Sequence, residues 1–312
     1  MRIYVSMLFF LLVTISFSQE KEYNSAIIKI NPYVEGNLVT PYADDKVPLL
    51  IFIMDAGAIN RDGNDRMSKN ETFKKLSREL AKHGIASFRY DKRIFAMDRM
   101  GMRENEISFK NFIDDAIETI DYFEKNNDYS KIILAGHGQG SLVGMIAARD
   151  RANAFIGIAG NANSIDNVII DQLAEQAPGL DKSAALAFKQ LRENGRATVY
   201  EPALESIFRY DLQPFMRTWL QYNPREEIAQ LEIPILLLYG KKDIQVNTSE
   251  GEKLKEVAPD AQFVAIDNMN HILREIKGNR LENQKSYNES WRPIMPEVIG
   301  TLATFIKDIS IQ

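Results

Sequence analysis

Along residues 25–40 apolar and polar side chains alternate on either side of Asn31-Pro32. That two-residue period predicts an antiparallel hairpin at a sheet edge, packed on one face and wet on the other. The pattern then changes. Residues 49–54 form an unbroken apolar run, the mark of a strand covered by helices on both faces. Further strands are expected at 85–90, 131–135, 155–159, 235–239 and 262–266. Between them apolar residues recur at helical spacing. Phe73, Leu76 and Leu80 do so within 71–83, which Gly84 closes, and Phe112, Ile113, Ala116, Ile117, Ile120 and Phe123 within 109–124. Strands alternating with amphipathic helices predict an α/β fold, a mostly parallel sheet with helices on both faces.

The rhythm breaks once. From 161 to about 225 the pattern is helix-like only, clearest at 165–176 and 184–193, and is interrupted by Pro178, Gly179, Gly195, Pro202 and Pro214. An insertion after a central strand is expected to lie over the strand ends as a helical cap. Helices are expected again at 248–257 and 297–309. Residues 19–312 therefore read as a single domain with a cap at about 161–225.

The first residues change the picture of where the chain works. Arg2 precedes an apolar run over 5–17 and a Ser-Phe-Ser end, the grammar of a secretory signal cleaved after Ser18. The run is shorter than the ~20 residues a bilayer requires, so the mature chain is expected to have no membrane span and to be exported, periplasmic or extracellular. A net charge of −5 gives no electrostatic footprint for nucleic acid. With no cysteine and three well-separated histidines, there is no disulfide, no thiol nucleophile and no metal-ligand spacing. No cofactor is expected, and the oligomeric state is not written in the sequence.

The candidate chemistry sits at 131–148. A buried strand runs into Gly136-His137-Gly138-Gln139-Gly140, and a helix is expected from about Ser141. Strand, glycine turn and helix make the nucleophile elbow of an α/β-hydrolase, whose central residue should be serine. Here it is Gly138. That fold takes its nucleophile, acid and base in this chain order, from loops beyond strand ends. Asp243 follows the strand 235–239 and His271 follows the strand 262–266, so position matches three times and chemistry twice. His137, beside the elbow centre, is expected to pack or hydrogen-bond.

Around these residues the chain resembles secreted bacterial members of the α/β-hydrolase family, esterase-like proteins with a Tyr-Asp-Lys-Arg turn and a Gly-His-Ser-x-Gly elbow. The matching stretches here are Asn60-Arg61-Asp62-Gly63-Asn64, Tyr90-Asp91-Lys92-Arg93, Gly136–Gly140, Ile233-Pro234, Asp243-Ile244-Gln245-Val246 and Asn270-His271. The resemblance covers nearly all of the mature chain. It implies a scaffold that hydrolyses esters, thioesters or amides, with a small ester-like molecule as substrate or ligand.

Two departures stand out. Gly138 removes the attacking oxygen. The loop after the 49–54 strand reads Asp55-Ala56-Gly57-Ala58 where the family has glycine, serine and proline at the positions of Asp55, Ala56 and Ala58. One oxyanion-hole N–H is expected from Ala56 and the other from Gln139. A carboxylate on Asp55 would oppose the charge that such a hole stabilises. The expectation is a catalytically impaired carboxylic-ester hydrolase. The alternative is an active hydrolase in which His271 and Asp243 activate a water filling the space left by the missing side chain. Ser141 lacks the flanking glycines of a substitute nucleophile. A nucleotide-binding loop at Gly136–Gly140 lacks its third glycine and the acidic residue that should end the next strand.

Overall fold

The alternating segment forms the hairpin β1 (Tyr23–Lys29) and β2 (Glu35–Pro41), paired antiparallel with Ala26 opposite Leu38. The computed structural model describes residues 22–311, so the signal peptide expected at 1–18 lies outside the described residues. The strands expected further along become β3 (Leu49–Ile53), β4 (Ala86–Tyr90), β5 (Ile132–His137), β6 (Ala154–Ile158), β7 (Ile235–Gly240) and β8 (Gln262–Ile266). They join one eight-stranded sheet in the order β1-β2-β4-β3-β5-β6-β7-β8. The hairpin enters antiparallel on β4, and every pairing from β4 to β8 is parallel.

Strand periodicity divides the core. Leu49, Ile51 and Ile53 of β3 face the helices Phe109–Asn126 and Gln139–Ala148, while Leu50 and Phe52 face Thr72–Lys82 and Pro296–Ile311. Each of these β3 side chains is at most 3% exposed, and removing one to alanine costs about 2–5 kcal/mol. The order also serves the site. Because β3 lies directly beside β5, the loop leaving β3 is held against the turn leaving β5.

Between β6 and β7 the described chain is helical, with Ile165–Gln176, Leu180–Asn194 and Gln213–Trp219 as its longer pieces. The second begins before the expected 184, because Gly179 at φ 103 turns the chain directly into it. These helices share an apolar cluster of their own that includes Phe188, Leu191, Phe208 and Met216. Trp219 stacks on Phe109 at 5.3 Å and 3° and ties them to the main domain. Among the described residues no helix is long and apolar enough to cross a membrane.

Candidate active site

β5 runs two residues beyond the expected 135, since its ladder continues to His137 opposite Ile158 and Gly138 N–H still donates to the Ile158 carbonyl at 3.0 Å. The helix begins at Gln139, not Ser141. Reversing from strand to helix within one residue puts Gly138 at φ 53, ψ −117, a conformation that glycine takes without steric penalty. Gly140 is required by close approach: a Cβ there would stand 2.2 Å from the Ile53 carbonyl oxygen. The glycines thus pack strand, turn and helix against one another.

Asp243, in the loop after β7, is fixed by two backbone donors. Its Oδ1 accepts the N–H groups of Gln245 at 2.7 Å and Val246 at 3.0 Å, and its Oδ2 accepts His271 Nδ1–H at 2.7 Å. His271, 3% exposed, reaches in from the loop after β8. Its backbone oxygen lies 2.9 Å from His137 Nε2. A carbonyl only accepts, so Nε2 of His137 carries the proton and its buried Nδ1 is left without a partner.

The remaining nitrogen of His271 meets Asp55. Asp55 Oδ2 lies 3.0 Å from His271 Nε2, while Oδ1 accepts Gln139 N–H at 2.7 Å and its neighbour Ala56 N–H at 2.6 Å. A Cβ built on Gly138 would stand 1.9 Å from Asp55 Oδ1 and 2.1 Å from its Cγ. The space expected to hold a water is therefore occupied by the Asp55 carboxylate. The physical reason is local. Glycine leaves the room, and two backbone N–H groups plus an imidazole attract an anion more strongly than a neutral water. Gly138, Asp243, His271, Ala56 and Gln139 are all brought together, with Asp55 at their centre.

The charges follow this geometry. Burial works against ionising Asp55, yet hydrogen bonding to His271, the nearby His137 and His271 charges and the Gln139 N–H hold it well below the usual carboxylate range. Burial likewise opposes a charged His271, but Asp243 and Asp55 on its two nitrogens outweigh it and raise the imidazole to about 10. Burial, aided by His271, drives His137 down to about 4. At neutral pH His271 is thus an imidazolium bonded on one side to the ionised Asp55 and on the other to Asp243.

Asp55, His137 and His271 offer three ligand atoms within 4.8 Å of one another. Wide spacing along the chain concealed this grouping, although Asp55 and His271 are already bonded to each other.

Further residues around the site were quoted in the sequence without a structural role. Lys92 is 4% exposed and donates from Nζ to the Asp55 backbone oxygen, and burial pushes its amine down to about 8. Arg61 pairs with Asp91 at 2.7 Å and Glu35 at 3.0 Å, and Arg89 pairs with Asp62 at 3.0 Å. The charged motifs of the resemblance thus clamp the loop that follows Asp55. Tyr287, whose hydroxyl accepts from Gln245 Nε2 at 3.0 Å, carried no signal in the sequence.

Two cavities meet at this centre. One of about 250 Å³ is lined by Asp55, His137, His271, Gln245, Tyr287 and apolar Phe73, Ile59 and Ile272. The other, about 450 Å³, shares Ala56 with it, reaches Gln139, and is walled by Lys92, Phe95, Phe112, Phe215, Met216 and Trp219.

A mostly parallel eight-stranded sheet with helices on both faces, and a glycine elbow facing an Asp–His pair from the loops after β7 and β8, make up the α/β-hydrolase fold. A family model described as serine aminopeptidase, S33, matches residues 66–197. Esterase EstD of Thermotoga maritima is 26% identical over 247 residues, 76% of this chain and 57% of that protein. The chain thus spans about 57% of the length of this curated relative. Est1E from Butyrivibrio proteoclasticus superposes with a TM-score of 0.59 at 17% identity, covering 92% of this chain and 99% of that one. The α/β-hydrolase GrgF from Penicillium sp. gives 0.57 at 14% identity, over 93% and 99%. The chain has the α/β-hydrolase fold and is similar to esterase-like proteins of that family.

Proposed function

We propose that this is a carboxylic-ester hydrolase scaffold in which serine-type acyl transfer is impaired. In this reading residue 138 is the nucleophile position, His271 the base, Asp243 its orienting acid, and the N–H groups of Ala56 and Gln139 the oxyanion hole. The observation that carries it is the Asp55 carboxylate, which fills the nucleophile's space and accepts both hole donors. A substrate carbonyl oxygen has no free donor there, and a second negative charge beside Asp55 is repelled.

The water-activation alternative is disfavoured by the same geometry. An imidazolium bonded on both nitrogens has no lone pair with which to take a proton from water. Helices over 165–219 act as a cap, and the 450 Å³ cavity under Phe215 and Trp219 receives the apolar part of an ester-like ligand. Residues 1–18 are a cleaved export signal, so the secreted protein should begin at Gln19.

The test compares p-nitrophenyl acetate hydrolysis by wild type, Gly138→Ser and the Gly138→Ser/Asp55→Gly pair. Wild type should stay near the background rate and the double variant should rise well above it. Fast turnover by wild type that is abolished by His271→Ala would overturn the impaired reading.

A further inference from the structure

We infer that Asp55, His137 and His271 form a binding site for one divalent transition-metal ion of the Zn²⁺ class, with a coordination position left open to the 250 Å³ cavity. Such a site shares the seat of Asp55 with the reading above and does not depend on impaired acyl transfer.

The donor atoms are already gathered. Each of the three residues offers one ligand atom, and these atoms all lie within 4.8 Å of one another. Asp55 Oδ2 and His271 Nε2 are 3.0 Å apart. Two ligands at about 2.0–2.1 Å from a tetrahedral Zn²⁺ stand ~3.3 Å from each other, so this pair already has nearly the spacing of neighbouring ligands. The set as a whole needs to close by at most about 1.5 Å. The ion takes the place of the proton that joins Oδ2 to Nε2.

What separates this group from a chance cluster is how each ligand is held. A metal-binding histidine donates its other ring N–H to a carboxylate or carbonyl, which fixes the tautomer and aims the free lone pair. His271 does so from Nδ1 to Asp243 Oδ2 at 2.7 Å, and His137 from Nε2 to the His271 backbone oxygen at 2.9 Å. The lone pair of His137 therefore sits on Nδ1, which is buried and, among the described residues, has no hydrogen-bond partner. An orphaned polar atom on a side chain 4% exposed calls for a partner, and a bound cation supplies one. Asp55 is held in the same manner. Its Oδ1 rests on the Gln139 and Ala56 N–H groups at 2.7 and 2.6 Å, which leaves Oδ2 for the ion.

The two departures from the hydrolase pattern belong together in such a site. Asp55 brings a carboxylate to the elbow, and Gly138 leaves the room it needs, since a Cβ there would stand 1.9 Å from Oδ1. Singly each removes a feature of acyl transfer, and jointly they complete a set of three ligands. Two imidazoles and one carboxylate suit Zn²⁺ or Co²⁺, whereas Ca²⁺ and Mg²⁺ favour shells of oxygen. The cavity lined by all three residues, with Gln245 and Tyr287 beside them, has room for water at the fourth position.

The probe is Zn²⁺ alone, titrated calorimetrically into untagged protein freed of metal by a chelator. Expected is one site per chain, with a Kd on the order of 1 μM or tighter, undisturbed by excess Mg²⁺. Asp243→Ala, which acts only through His271, should weaken binding ~10–100-fold. Asp55→Ala and His137→Ala, verified as folded by their unfolding curves, should weaken it further, and a change at the exposed His83, His83→Ala, should leave it unaltered. Nitrogen NMR of wild type reads the same contacts without any substitution: Zn²⁺ should shift His271 Nε2 and His137 Nδ1 and spare His83. Absence of a one-to-one site, binding that survives the loss of Asp55 or His137, or shifts confined to His83 overturns the inference. Ester hydrolysis by the Gly138→Ser/Asp55→Gly pair, measured without added metal, reads the earlier proposal separately, so either can fail alone.

Discussion

Gly138→Ser is the most informative single substitution, because the structure predicts that restoring the expected serine is not enough. Its Cβ would stand 1.9 Å from Asp55 Oδ1, so the carboxylate must leave, breaking its bonds to Gln139, Ala56 and His271. A side chain at φ 53 adds strain of about 1–3 kcal/mol. Charge-assisted hydrogen bonds are worth about 1.5–3 kcal/mol each, largely offset here because Asp55, 15% exposed, can turn toward water. The sum is a loss of ~3–5 kcal/mol, or a fall in Tm of about 6–20 °C for a domain of this size. Adding Asp55→Gly removes the clash and should recover ~2–3 kcal/mol, a non-additivity expected of groups in contact. The assay is thermal unfolding of wild type, both single variants and the pair, run beside ester hydrolysis and fluorophosphonate labelling. Gly138→Ser should be unstable and poorly labelled, and the pair steadier and labelled. A Gly138→Ser protein within about 0.5 kcal/mol of wild type and as active as the pair would refute the seat assigned to Asp55.

The remaining expectations concern charge and pocket. His271→Ala leaves the Asp55 and Asp243 carboxylates facing each other without their shared cation, and should cost about 3–5 kcal/mol in urea unfolding near neutral pH. The pH dependence follows from three shifts. Asp55, held low, contributes stability above its ordinary 3.8 that is lost as pH falls further. His271 contributes below 6.5 and loses its contribution as pH rises through about 10, while His137, kept neutral, costs stability as pH falls from 6.5 through about 4. Unfolding free energy should therefore peak near pH 6.5, and His271→Gln should flatten the alkaline limb. Phe215→Trp narrows the 450 Å³ cavity and, in the Gly138→Ser/Asp55→Gly background, should slow p-nitrophenyl butyrate hydrolysis several-fold more than p-nitrophenyl acetate hydrolysis.

Much of the fold was legible because its signals are local. Unbroken apolar runs at 49–54 and 235–239 mark strands buried on both faces, and Gln262–Ile266 and Thr248–Val257 form as their patterns predict. Element ends were less so. β5 extends to His137 because its neighbour β6 offers ladder partners up to Ile158, which no local pattern records. Asp243 and His271 could be picked out from their places after strands, and the structure joins them at 2.7 Å. The destination of Asp55 could not be read. Its charge next to the expected hole was visible, but its entry into the hole depends on β3 lying beside β5 and on the room left by Gly138, a coupling across 83 residues of chain. Lys92 was hidden for the same reason: a lysine in a charged motif looks like surface until the fold buries it under the Asp55 carbonyl.

The most direct measurement is the nitrogen NMR titration of the His271 ring. With Asp55 seated as described, both ring nitrogens stay protonated through neutral pH and the imidazolium titrates at about 10. In Asp55→Asn the midpoint should fall as one of its two carboxylate partners is removed. A wild-type His271 that titrates near 6.5, unchanged by Asp55→Asn, would contradict the occupation of the site by Asp55.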